Sequence, residues 1–286
     1  MARETLRILL DRPALDRVRA GQHNFFARVQ RAVEGAGWRV RFAESTLARR
    51  LSADGYTLYH MEEPTHPRAL TCWRVYVGAF WAIEAQAARW AWPVARAAYP
   101  GVDGAEFLRR WRARLWPGVV AEDRGHVFVP LQGRLSVQRS FQAMSPAAML
   151  RTLLSRTDRP VIATLHPKEA CSAEDLAALP AHPRLSLQRG GSAEALRSCH
   201  AVVTQNSAMA FEGYFLEKPA LLFAAIDFHH IAASVPRDGL EAAFAPQAAA
   251  DFGGYLRWFL EQRINAGRPE CEAQILTALR GHGWPI

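Results

Sequence analysis

A chain of 286 residues is long for one domain and comfortable for two, and with half its residues hydrophobic it can bury substantial cores. The formal charge of +8 favours acidic ligands or an anionic surface, yet only Lys168 and Lys218 among the 35 basic residues are lysines, so the arginine excess reads as genome composition rather than nucleic-acid binding. Cys72, Cys171, Cys199 and Cys271 are far apart with no C-x-x-C, which excludes the common zinc and disulfide frameworks and leaves isolated core thiols.

The N-terminal apolar run is too short for a signal peptide, and no uncharged stretch reaches the length of a membrane span, so a cytoplasmic protein is expected. Residues 6–10 read as a first strand and 11–22 as a long polar loop. A helix follows over 23–35, with Phe25, Phe26, Val29 and Val33 at helical spacing and Gly35 and Gly37 to stop it. Residues 38–42 and 56–60 read as strands around a short helix at 46–51, which together give the order of a doubly wound domain. The stretch 70–99, with Trp73, Val77, Phe80, Trp81, Trp90 and Trp92, reads as a Trp-rich helical insertion, buried in the core or laid on a membrane surface. A helix is expected over 105–115.

After Asp123 the pattern restarts. Residues 126–131 read as a strand and 132–145 as an extended linker, then Ser145 caps a helix with Pro146 in its first turn. Strands at 161–165, 184–187, 201–204 and 220–223 alternate with helices at 173–179, 192–198 and 208–217, and helices at 252–265 and 270–280 finish the chain. The strands are continuous apolar runs, as in a parallel sheet covered on both faces. The expected architecture is therefore two Rossmann-like doubly wound α/β domains facing a cleft, residues 1–125 on the acceptor side and 126–286 binding a nucleotide-sugar.

Chemistry concentrates at strand ends. The strand 201–204 runs through Gln205 and Asn206 into Ser207, placed to cap the next helix, so amides, the hydroxyls of Thr204 and Ser207 and a helix dipole converge on an anion. Glu212, further into that helix, can reach a sugar hydroxyl. The strand 161–165 runs into His166-Pro167-Lys168-Glu169, an equivalent strand end at which His166 could bind a phosphate oxygen.

These residues carry a resemblance. The order VFVPLQ (127–132), a loop with Ser140, ATLHP (163–167) and VVTQNSAMAFEGYFLEKPALLF (202–223) resembles bacterial capsule-polysaccharide biosynthesis proteins. Those are GT-B glycosyltransferases that include Kdo transferases, and they are similar to bacterial sialyltransferases with an HP motif and a Ser/Thr motif. The resemblance covers roughly residues 126–231. It implies that His166, with Pro167 and Lys168 beside it, binds the phosphate of a CMP-linked sugar donor assisted by Thr204, Asn206 and Ser207. It also implies that Glu212 binds the ribose, and that Gln132 and Ser140 lie at a domain cleft. Two departures stand out: Glu217-Lys218-Pro219 replaces the family's frequent Gly-Lys-Pro, and Gly133-Arg134 replaces its acidic element after the glutamine.

A transfer also needs a base. His23, at the start of a helix where a depressed pKa suits that role, is the first candidate, and Glu62 is a second acid/base candidate beside His60, Glu63 and His66. The His-x-Glu-Glu-x-x-His spacing matches no trusted metal pattern, and no D-x-D is present, so no metal is expected. One of His229 and His230 is a plausible further donor contact. Arg134 and Arg139 could neutralise a pyrophosphate or sugar carboxylate, or could be ordinary surface residues. Walker A, G-x-G-x-x-G and G-x-S-x-G motifs are absent, which removes the ATPase, dehydrogenase and α/β-hydrolase readings. The expected activity is transfer of Kdo or a related acidic sugar to a surface polysaccharide or glycolipid, with the nucleotide-sugar as substrate, no other cofactor, no nucleic-acid partner, and a possible peripheral contact with the inner membrane. The alternatives are a CDP-alcohol phosphotransferase of teichoic-acid type and a non-enzymatic module that binds a polyanion or a membrane.

Overall fold

The computed structural model describes residues 3–167 and 171–286, so Lys168, an expected donor contact, lies outside the described residues. Packing divides the chain into two compact units: the chain up to Pro93 together with Leu260–Ile286, and Val94–Phe259.

The first unit opens with strands β1 (Thr5–Leu10), β2 (Arg39–Glu44), β3 (Tyr56–His60), β4 (Ala69–Arg74) and β5 (Phe80–Glu84), laid side by side in the order β5-β4-β3-β1-β2. The first four run parallel; β5 turns back against β4. Leu6, Ile8 and Leu10 share one core with Phe25, Phe26, Val29 and Val33 of the helix Asn24–Gly35, while Leu9 packs with Tyr59 and Ala69 in a separate cluster. That alternation along β1 is the two-residue period of a strand covered on both faces.

Two expectations in this unit are corrected. The stretch after β1 is not a polar loop: Arg12–Arg19 is a helix, whose Asp11 cap accepts the Ala14 amide at 2.7 Å and whose first turn holds Pro13. An acidic cap followed by proline is a helix start, even where the rest of the segment is polar. The Trp-rich stretch is not one long helix either. Its first half forms the β4–β5 hairpin, which turns through Tyr76 and Gly78, both at positive φ, and only the short helical turns Arg89–Ala91 and Pro93–Arg96 follow. Thr71, Trp73, Val75 and Val77 are β-branched or aromatic, and their packing on the pleated sheet overrides the helical spacing. Trp81 stacks on Phe25 with ring centroids 4.1 Å apart, and Trp92 is buried, so the premise of an amphipathic membrane helix falls. Among the described residues no helix is long and apolar enough to cross a membrane.

The second unit contains the helix Ala105–Leu115 as expected and builds a sheet from β6 (Val127–Pro130), β7 (Val161–Leu165), β8 (Leu185–Arg189), β9 (Ala201–Thr204), β10 (Ala220–Leu222) and β11 (Ala233–Ser234). The order is β11-β10-β9-β6-β7-β8 and every pairing is parallel. Counted from β6 this is the Rossmann sequence 3-2-1-4-5-6, and the order reverses between β6 and β9. One face buries Val127, Val129, Val161 and Ala163 against Met149, Leu150, Leu153 and Leu154 of the helix Pro146–Arg156, with Ser145 as its cap. Phe211 and Tyr214 pack against Phe228, Tyr255 and Phe259 in an aromatic cluster.

Residues 132–145 are a folded loop rather than an extended linker. Leu135 is fully buried, its carbonyl accepts the Ala147 amide at 2.9 Å, and the Ser136 amide and hydroxyl both donate to Asp175. The chain ends back in the first unit. Ile264–Asn265, taken as β12, pairs antiparallel with β5 to complete a six-stranded sheet, and Glu272 on the helix Cys271–Gly281 receives Arg28 at 2.7 Å and Arg31 at 3.1 Å. This return joins Leu260–Ile286 to the first unit. Cys72, Cys199 and Cys271 are buried thiols, and Cys171 is half-buried.

Candidate functional site

The strand order of the second unit reverses between β6 and β9, and in open α/β sheets ligands bind beyond the carboxyl ends of the strands at such a point. The registers fix what lies there. Pro130 on β6 is level with Thr164 on β7, and the Leu131 amide still donates to the Thr164 carbonyl at 2.9 Å, so Gln132 and His166 leave adjacent strands at the same height. On the other side the Thr204 hydroxyl donates to the Pro130 carbonyl at 2.9 Å, so Gln205, Asn206 and Ser207 follow at that height too. Parallel neighbours lie about 4.8 Å apart, so these strand ends fall within the span of one small anion and its sugar.

Each expected contact has a definite place. His166 is half-buried at the end of β7, with Pro167 exposed in the turn beyond. Ser207 is nearly buried and caps the helix Ala208–Tyr214, its hydroxyl accepting the Met209 amide at 3.3 Å. Asn206 and Glu212 are half-buried. Gln132 is half-buried too, and its Oε1 is shielded from solvent without a hydrogen-bond partner among the described residues. Ser140 is exposed at the corner of a turn closed by the Gln142 amide on the Arg139 carbonyl at 2.9 Å. Thr204 differs from expectation. It has no exposed surface, and its hydroxyl ties β9 to β6, so in this conformation it shapes the strand end and does not face a ligand. Of the paired histidines, His230 is occupied at both ring nitrogens, by Tyr255 Oη at 3.0 Å and the Ala97 carbonyl at 3.1 Å. His229 uses Nδ1 on the Ile226 carbonyl at 2.7 Å.

The first unit has its own strand-order reversal, between β1 and β3. Asp11 ends β1 and His60 ends β3, with Asp11 Oδ2 3.9 Å from His60 Nδ1. His23, at the start of the helix Asn24–Gly35, sets its ring 6.4 Å from that of His60, against Phe26 and Trp81. Burial in this aromatic setting, then His60 and Arg17, push the His23 pKa down to about 4, while Asp11 opposes them. Burial also lowers His60, again against the pull of Asp11 and Glu62. Glu62 accepts the Ser45 hydroxyl and stands 3.7 Å from Arg50. Glu63 instead accepts the Ala87 amide at 2.8 Å, and His66 stands apart, its pKa lowered by burial. The structure thus gathers His23, His60 and Glu62 beyond the carboxyl ends of β1 and β3 and adds Asp11. The signal for it was Asp-x-Pro after an apolar strand. Among the described residues no group of three or more His, Cys, Asp or Glu side chains is arranged to hold a metal ion.

No protein-family model matches the chain, and no curated protein matches it. Solved structures do. The chain is similar to the β-Kdo 2,4 transferase of Thermosulfurimonas dismutans KpsC at a TM-score of 0.52 and 10% identity, over 89% of this chain and 90% of that one. It is similar to the β-Kdo 2,7 transferase of the same protein at a TM-score of 0.52 and 10% identity, over 96% of this chain and 99% of that one. At that identity the likeness concerns the fold: two α/β units with six-stranded, largely parallel sheets, of the kind found in GT-B glycosyltransferases.

Proposed function

We propose that the protein is a glycosyltransferase whose second unit binds a nucleotide-sugar, with a CMP-linked acidic sugar such as Kdo as donor and a surface polysaccharide or glycolipid as acceptor. The observation that supports this reading is the β6–β9 reversal, beside which Gln132, His166, Asn206 and Ser207 follow the carboxyl ends of neighbouring strands. The fold shared with two Kdo transferases supports the choice of donor. In this reading the bond from sugar carbon to phosphate oxygen breaks as the acceptor oxygen attacks. The charge that grows on the departing phosphate is met by His166, the Asn206 amide and the dipole of the helix behind Ser207. Glu212 takes the ribose. In the first unit, His23 is the group assigned to the acceptor's proton, with Glu62 as the second candidate. A pKa near 4 keeps its imidazole neutral at physiological pH but makes it a weak acceptor, so Asp11, which pulls that pKa up, strengthens the base.

The test is a thermal-shift panel of CMP and CDP against UDP, GDP and ADP, on the wild type and on His166→Ala and Ser207→Ala. Stabilisation by cytidine nucleotides alone, lost in both variants while their ligand-free melting stays within a few degrees of wild type, is the expected outcome. Equal stabilisation by all five, or full retention in both variants, refutes the site.

A further inference from the structure

Arg139 lies within the loop that follows β6, and the sequence alone does not separate it from a surface arginine. In the structure its guanidinium lies over the Phe141 ring, 5.1 Å from the centroid. Its Nε and Nη2 atoms are shielded from solvent and have no hydrogen-bond partner among the described residues. Those two nitrogens form one edge of the guanidinium fork, the edge that pairs with two oxygens of a carboxylate or phosphate. A charged edge turned inward without a partner is a costly arrangement, which an arriving anion relieves.

The surroundings are built. The Arg139 amide donates to Gln142 Oε1 at 2.8 Å, and the Gln142 amide closes the turn on the Arg139 carbonyl. Gln142 is 4% exposed, and its Nε2 also has no partner among the described residues, so the same turn holds a second buried donor. Gln138 Nε2 holds the turn from outside through the carbonyls of Gln142 and Ala143 at 3.0 and 3.2 Å. The turn is riveted to the strand ends. The Ala225 amide donates to the Phe141 carbonyl and the Ala143 amide to the Phe223 carbonyl, each at 2.8 Å, while the Ala224 amide reaches the Gln205 carbonyl at 3.1 Å. Arg139 is therefore fixed on the carboxyl side of β9 and β10, next to the Gln205–Ser207 turn.

We infer that the Arg139–Gln142 turn is an anion subsite in which the Nε/Nη2 edge of Arg139 receives two oxygens of a carboxylate or phosphate and Gln142 Nε2 donates to the same group. The anion has two sources, the phosphate of a nucleotide or the carboxylate of an acidic sugar. Only the naming of those carriers rests on the nucleotide-sugar reading; the subsite itself rests on the orphaned donors.

The Arg139 Nε–Hε resonance, followed by NMR, reads the edge directly. Titrations with CMP, cytidine, free Kdo and its methyl ester, and inorganic phosphate separate the sources. A resonance that moves with CMP and phosphate but not cytidine assigns the phosphate; one that moves with Kdo but not its ester assigns the carboxylate. Arg139→Gln should then weaken the responsible ligand by about tenfold or more, and Arg139→Lys, which keeps the charge but loses the fork, should restore only part of it. Both variants should melt as the wild type does. An unmoved Hε with every probe, as expected if ordered water alone satisfies the edge, overturns the inference. CMP binding that depends on His166 while Hε stays still also overturns it and leaves the nucleotide reading standing. An Hε that moves with phosphate in a protein that binds no nucleotide does the reverse.

Discussion

His230 makes the second unit sensitive to mild acid, and the size of the effect follows from the structure. The Ala97 carbonyl can only accept, so Nε2 carries the proton and Nδ1 accepts from the Tyr255 hydroxyl. That fixes a neutral tautomer, and burial first, then the His229 ring stacked 4.4 Å away, push the pKa down to about 4. In the unfolded chain the group titrates near 6.5. Between those values the unfolded state binds more protons, so the stability contributed by the neutral imidazole is complete above pH 6.5 and is lost as pH falls toward 4. Full linkage from pH 7 to pH 5 gives about 1.8 kcal/mol, and screening of a half-buried ring brings this to about 1 kcal/mol. His230→Gln removes the titration while keeping a donor for Ala97. Urea unfolding of both proteins at pH 7 and pH 5 is the assay. The wild type should lose about 1 kcal/mol more than the variant on acidification. Equal losses, or a greater loss in the variant, would refute the assignment of a neutral buried imidazole.

The remaining predictions concern packing and the loop beside the site. A methyl group on Gly254 would sit 2.0 Å from the Val102 carbonyl oxygen, and one on Gly104 equally close to the Gly253 carbonyl, so two stretches of backbone cross where only glycine fits. Gly254→Ala should destabilise by roughly 3 kcal/mol, read as a drop in the urea midpoint, whereas Gly35→Ala, in open space, should not lower it. Asp175 accepts the Ser136 amide at 3.0 Å, its hydroxyl at 3.1 Å and the Ser172 amide at 3.4 Å, and the Ser136 amide foremost holds its carboxyl below the usual range. Asp175→Asn should free the loop that carries Gln132, weaken CMP binding severalfold by calorimetry and flatten the loss of affinity that the wild type shows as pH falls through the carboxylate range.

What the sequence made legible follows from how local each signal is. The 56–60 and 161–165 strands and the 105–115 and 192–198 helices were readable to the residue, because apolar runs, caps and spacing decide them locally. The candidate site was legible in part: His166 and Ser207 are placed by the strands before them, and a parallel sheet brings strand ends together whatever the loops do. Thr204 was misjudged because the same strand position can point outward or, as here, into the Pro130 carbonyl, and only the neighbouring strand decides. The β4–β5 hairpin was lost because Trp73, Val77 and Trp81 satisfy helical spacing while Tyr76-Val77-Gly78 supplies the turn, and it is Phe25, from elsewhere in the chain, that fixes Trp81. The sequence does not single out Asp11, and it cannot separate Arg139 from a surface arginine, for the same reason. One acquires meaning from His60 and the other from its unpaired edge, and both are tertiary facts.

The two departures from the family pattern carry different weight once their backbones are known. Glu217, where the family has glycine, lies at φ +55°, the left-handed end of its helix, and Arg112 holds its carboxylate at 2.6 Å. Lys218 is buried on the carbonyls of Glu122 and Cys199, so Glu-Lys-Pro makes the turn that glycine would make, at the cost of some strain and away from the candidate site. The replacement at Gly133-Arg134 bears on chemistry. Arg134 is also left-handed, at φ +59°, and exposed, directly beyond Gln132. From Leu131 to Met149 the chain contains Arg134 and Arg139 and no Asp or Glu. The loop thus offers arginines and no carboxylate to whatever binds at this strand end. In the proposed reading, guanidinium, imidazole and helix dipole all meet the charge of a departing phosphate there. In the same reading, a loop with two arginines and no carboxylate favours an anion, while the titratable groups Asp11, His23 and His60 gather separately in the first unit.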